Sequence, residues 1–128
     1  FHEKGNIYHA LKCTESSFSK FGEAYFTTIN KGDVKGWKKH SKMIMNLLVP
    51  VGEVGFYFHN QNNSTSKFIS VGLNNYVRLT VEPGIWFAFE GLSEERNLIL
   101  NIANISHDPK ESINVELKTF PLHRKVSS

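Results

Sequence analysis

One cysteine, Cys13, stands in the 128 residues, so no internal disulfide framework can form and a reducing compartment, the cytoplasm, is expected. No apolar run approaches about 18 residues and no signal-type apolar stretch is present, so neither a membrane span nor export is expected. Helical periodicity is sustained nowhere. The chain also lacks a Gly-rich phosphate loop, a Gly-x-Ser-x-Gly elbow and the paired spacing of a zinc module. Without a Lys/Arg-rich helix or an RNA-binding aromatic signature, nucleic acid is not an expected partner.

What is present is aromatic and apolar. Forty per cent of the residues are hydrophobic, among them ten Phe, four Tyr and two Trp, a composition that favours half-buried pleated surfaces. Short alternating blocks recur at intervals of about ten residues, the spacing of an antiparallel sandwich or barrel. They predict strands at Ala24–Ile29, Val34–His40, Met43–Pro50, Glu53–His59, Lys67–Val71, Tyr76–Val81, Ile85–Phe89 and Leu98–Ala103. Turns are expected at Asn30-Lys31-Gly32-Asp33, Val51-Gly52, Gly72-Leu73-Asn74-Asn75 and Glu82-Pro83-Gly84, with a polar loop from Asn60 to Ser66. Within Val54–His59 both faces carry aromatics, as in a strand covered on both sides. The length fits a single domain: an arm or edge strand over 1–21, a barrel core over 22–106, and a C-terminal turn and tail over 107–128, loosely attached from Lys118 onward.

The candidate chemistry gathers on one hairpin. His40 lies at the end of a predicted strand beside Lys38, Lys39 and Lys42; these cations disfavour a further positive charge, leaving the imidazole to accept a proton. It is the best general-base candidate. Lys35, Lys42 and Asn46 are the nearest donors for an enolate oxygen, and Lys38 and Lys42 suit an anionic substrate. Trp37, Tyr57 and Trp86, with Phe87, are candidates for an aromatic wall, although core packing is the commoner fate of strand aromatics. Tyr25, Tyr57 and Tyr76 offer acidic hydroxyls, and nothing local selects one. Metal binding is disfavoured, because His40 has no histidine two positions away and His59 is isolated. Cys13 has no activating neighbour.

These segments resemble the cupin superfamily and, within it, the dTDP-4-dehydrorhamnose 3,5-epimerase-like family. Val34-Lys35-Gly36-Trp37-Lys38-Lys39-His40 is similar to a short version of the family's Arg-Gly-Leu-His segment. Val81-Glu82-Pro83-Gly84-Ile85-Trp86-Phe87-Ala88-Phe89 is similar to its Pro-x-Gly-x-x-His-x-Phe turn, and the likeness covers roughly Gly22 to Glu111. The resemblance implies an all-β jelly-roll barrel (a double-stranded β-helix), usually dimeric. It implies a nucleotide-linked 4-keto-6-deoxy sugar as substrate, no metal and no cofactor, and a place in surface polysaccharide synthesis. His40 would then remove a proton from carbon next to the ketone, with Lys35 or Asn46 polarising the carbonyl. The chain departs from the family pattern at four places. His40 is displaced by two residues, Phe87 replaces the second histidine, Leu100 stands where the family places a tyrosine acid, and no C-terminal aspartate follows Asp108. An isomerase and a non-catalytic cupin that binds a sugar or nucleotide, or modulates a partner enzyme, are therefore both open. An open pocket that joins His40 to a second ionisable group favours the enzyme; one sealed by Trp86, Phe87 and Phe89 favours binding.

Overall fold

The computed structural model describes residues 3–123. Nine strands run β1 (Glu23–Thr28), β2 (Val34–His40), β3 (Met45–Val51), β4 (Glu53–Asn60), β5 (Thr65–Gly72), β6 (Leu79–Val81), β7 (Trp86–Gly91), β8 (Leu98–Ala103) and β9 (Ser112–Asn114). They form a four-stranded sheet, β1-β8-β3-β6, and a five-stranded sheet, β5-β4-β7-β2-β9, with every strand pair antiparallel. This is the expected all-β cupin jelly roll. All eight expected strands are present, and β9 is an addition to them.

Strand alternation divides the core in two. Between the sheets pack Met45, Leu47 and Val49 of β3, Ile99 and Ala103 of β8, Val54 and Phe56 of β4, and Phe87 of β7. On the outer face of the five-stranded sheet lies a second cluster of Trp37, Tyr57, Phe68, Trp86 and Ala88, covered by Val34, Val115, Leu117 and Phe120. That sheet is thus apolar on both faces, which is why β4 carries aromatics at successive positions.

The cover for the outer face is the C-terminal segment. After a short 3-10 turn at Pro109–Glu111, β9 pairs with β2, placing Ser112 opposite His40. Trp37 and Val115 exchange backbone hydrogen bonds, and the Trp37 indole N–H donates to Leu117 O at 3.0 Å. Phe120 then inserts between the rings of Trp37, His59 and Trp86, at centroid distances of 5.6, 4.3 and 5.5 Å. The expected loose tail is therefore corrected as far as Phe120: three rings supply apolar surface for it to bury. Of the rest of that tail, 121–123 are exposed and 124–128 lie outside the described residues, as do residues 1–2 of the expected arm.

Phe120→Ala removes this anchor. Phe120 is half-buried, so its loss is expected to cost about 1 kcal/mol, part of the value of a fully buried aromatic side chain, and to loosen the segment that carries Glu111. Chemical denaturation, with hydrogen exchange at the Val115 amide, checks both effects.

In the N-terminal stretch no strand forms among the described residues. The segment is held as an arm by Arg78, which donates to Ala10 O and to Ser17 Oγ and pairs with Glu15.

Candidate active site

Between the sheets, at the side where β1 and β2 approach, opens a cavity of about 330 Å³. The five-stranded sheet contributes Lys35, Lys38 and His40 of β2, Phe56 of β4, and Phe87 and Phe89 of β7; the four-stranded sheet contributes Tyr25, Leu47, Ile99 and Asn101. Gly36 belongs to the wall for a steric reason. A Cβ there would lie 2.4 Å from that of Ala88, and its φ of +148° is one that side chains rarely adopt. The β2 ladder shifts register between Gly36 and Lys38, which sets Lys35 and Lys38 on the same wall.

His40, 7% exposed, ends β2. Its backbone carbonyl accepts from Gly84 N–H at 2.8 Å, and its ring lies parallel to Phe87, 6.0 Å away. Phe87, which stands where the resemblance places a second histidine, thus lies against the imidazole. Because Ser112 pairs with His40, Glu111 falls beside the imidazole, and its Oε1 hydrogen-bonds His40 Nδ1. The other oxygen, Oε2, accepts from the backbone N–H groups of Ser41, Lys42 and Met43 at 3.1, 3.0 and 3.0 Å. An ionised carboxylate is acceptor-only, so the Nδ1 proton faces Glu111 and Nε2 lies outside the pair. The arrangement is a histidine–carboxylate dyad with the imidazole on the cavity wall.

Burial pushes the Glu111 carboxyl up, but the hydrogen bonds from His40, Lys42 and Met43, with the His40 charge, outweigh it and hold the group below its ordinary range. A depressed carboxylate contributes stability that is complete at neutral pH and is lost as pH falls through its folded value. Thermal melts in acid should therefore fall more steeply for the wild type than for Glu111→Gln, the two converging below the ordinary glutamate range.

Tyr25, on the facing sheet, is 41% exposed, and its Oη accepts from Asn101 Nδ2 at 2.8 Å. Burial raises this phenol above its ordinary value, the Asn101 hydrogen bond opposes the rise, and Glu23 adds to it. The hydroxyl is protonated at neutral pH. Lys35 Nζ donates to Thr28 O at 3.3 Å, bridging from β2 to β1.

Not every residue expected at the site is there. Asn46 faces away from the cavity: Thr80 Oγ1 and Arg78 Nε donate to its Oδ1 at 2.7 and 3.2 Å, and its Nδ2 donates to Ser17 O. It holds the N-terminal arm. Trp37, Tyr57 and Trp86 belong to the outer cluster, where the Tyr57 hydroxyl donates to Glu90 Oε1 at 2.7 Å and Lys39 Nζ lies 4.9 Å from the Trp86 ring centroid. Lys42 serves the site through its backbone N–H, and its side chain is exposed. The aromatic wall is instead Phe56, Phe87 and Phe89. Leu100 turns to a separate apolar groove with Leu11, Phe18 and Ile102, while its neighbour Asn101 faces the cavity. Among the described residues no three His, Cys, Asp or Glu side chains come together to hold a metal ion.

Sequence reasoning missed Glu111 and left Tyr25 unselected. A signal existed for Tyr25 and Asn101: each is polar at a position that alternation assigns to the core face, with Ile29 and with Ile99 and Ala103 respectively. The only signal for Glu111 was a carboxylate three residues beyond Asp108.

No protein-family model matches the sequence, and neither does any curated protein. Solved structures do. A dTDP sugar isomerase from Desulfovibrio desulfuricans G20 superposes with a TM-score of 0.89 at 27% identity, over 99% of this chain and 86% of that one. A dTDP-4-dehydrorhamnose 3,5-epimerase from Sulfolobus tokodaii gives 0.82 at 13%, over 97% and 76%. The fold is that of the dTDP-4-dehydrorhamnose 3,5-epimerase-like cupins. A mutant of the 3,4-ketoisomerase QdtA from Thermoanaerobacterium thermosaccharolyticum, in complex with TDP-4-keto-6-deoxyglucose, gives 0.76 at 18%, over 88% and 79%. Among the described residues no helix is long and apolar enough to cross a membrane.

Proposed function

We propose that this epimerase-like cupin is an isomerase acting on a dTDP- or other nucleotide-linked 4-keto-6-deoxy sugar, removing a proton from carbon next to the ketone. The observation that carries the reading is the His40–Glu111 dyad on the wall of an open cavity that also holds Tyr25 and two lysines. His40 Nε2 takes the proton, and Glu111 fixes the tautomer and stabilises the imidazolium that forms. Lys35 and Lys38 supply positive charge for the enolate oxygen and the diphosphate. Phe56, Phe87 and Phe89 give the sugar an apolar bed. Trp86 lies behind the sheet, so the cavity is not the sealed pocket that a purely binding cupin implies. The 27% identical neighbour, a dTDP sugar isomerase, and the TDP-4-keto-6-deoxyglucose bound by the ketoisomerase support the substrate class.

The reading extends to a single domain working as a cytoplasmic homodimer in surface polysaccharide synthesis. Edge strand β1 exposes Phe26, at 65%, in register with Leu100, which lines a groove with Leu11, Phe18, Phe21 and Ile102, a face that suits a second copy.

Incubation with dTDP-4-keto-6-deoxyglucose, followed by proton NMR, tests the reaction class. A new isomeric keto-sugar is expected. An unchanged spectrum with dTDP-, UDP-, GDP- and CDP-linked keto-sugars would count against it.

A further inference from the structure

Asn101 is a polar residue where the core pattern calls for an apolar one. It stands in register with Tyr25 across the β1–β8 ladder, is 5% exposed, and lines the cavity. Its Nδ2 donates to Tyr25 Oη at 2.8 Å and to Met45 Sδ at 3.3 Å. Its Oδ1 is buried and has no hydrogen-bond partner among the described residues. An unmet buried acceptor costs about 1–3 kcal/mol, so stability alone does not account for an asparagine here.

The neighbours dictate how the amide faces. A thioether sulfur only accepts, so the NH₂ group belongs against Met45. Turning the amide over would set its oxygen against the sulfur and leave two hydrogens unmet in place of one acceptor. The Tyr25 oxygen therefore receives a hydrogen bond from Asn101 and cannot return its own proton there. That proton is left for the cavity, on the wall opposite His40.

We propose that Asn101 is a positioning residue that holds the Tyr25 hydroxyl as proton donor to the sugar carbon on the face opposite His40, so that the reaction inverts that carbon. The proposal rests on the proton-abstraction reading above. As the C–H bond breaks, its proton passes to His40 Nε2 and its electron pair enters the enolate. As the new C–H bond forms on the other face, the Tyr25 O–H bond breaks and leaves a phenolate, which the Asn101 N–H stabilises. The phenolate regains a proton from water at the open mouth, and the imidazolium returns one.

Asn101→Asp and Asn101→Leu separate this role from a structural one. The aspartate of the first would accept the Tyr25 proton, and the leucine of the second would offer the phenol nothing while removing the unmet acceptor. In D₂O with dTDP-4-keto-6-deoxyglucose, NMR distinguishes deuterium in recovered starting sugar from deuterium in the inverted product. Both variants are expected to lower the ratio of inversion to exchange by about 100-fold, the order of a general-acid contribution, with Asn101→Leu melting no lower than the wild type. A wild-type ratio in either variant, or failure of both to fold, would overturn the proposal, as would a wild type that exchanges only with retention. A wild type that exchanges nothing would instead remove the proton-abstraction reading, and the role of Asn101 with it.

Discussion

His40→Ala is expected to lower kcat by about three orders of magnitude, within the range of a positioned general base, while leaving the fold in place. His40 is the described residue that brings a proton-accepting nitrogen to the cavity wall with its other nitrogen already committed to a carboxylate. Its loss leaves Glu111 still held by three backbone N–H groups, so the turn that follows β2 keeps its shape. The cost in stability is that of one charge-assisted hydrogen bond, about 1.5–3 kcal/mol. Steady-state kinetics beside a circular dichroism melt measures both. A variant that retains a tenth of wild-type turnover would show that another group removes the proton.

Glu111→Gln carries the second large effect. Glutamine keeps the length of the side chain but must turn its NH₂ toward either the Nδ1–H of His40 or the three backbone donors, setting donor against donor. The imidazole then loses both the partner that fixes its tautomer and the charge that stabilises imidazolium. We expect kcat to fall by about 100-fold, with KM little changed, because Glu111 is not among the residues that line the cavity. Stability should fall by about 3 kcal/mol, as when one partner of a buried pair is removed. An equal loss in kcat and gain in KM would place Glu111 in substrate binding instead.

The fold was legible in the sequence because alternation and turn residues are local signals, and β2 and β8 were found to the residue. β9 was not, because three residues carry no period; its identity comes from pairing with β2. Within the site, His40 was legible from its own neighbourhood. Glu111 lies 71 positions away, and no local pattern joins the two until the C-terminal segment folds over the outer sheet. The lysines depended on a detail that sequence does not encode plainly: strict alternation would put Lys35 on the face opposite His40, and the bulge between Gly36 and Lys38 brings it back. For Trp37 and Trp86 the same alternation already implied the outer face, since each lies an odd number of residues from a cavity-lining neighbour, His40 and Phe87 respectively. Asn46 shares β3 with Leu47, which faces the cavity, so its own side chain must turn outward.

Deuterium entry into the sugar ring bears most directly on the dyad's role. With the wild type in D₂O and dTDP-4-keto-6-deoxyglucose, mass spectrometry and NMR should show deuterium at carbon next to the ketone, and His40→Ala should show none above the uncatalysed rate. Deuterium entering equally fast with His40→Ala would contradict the account.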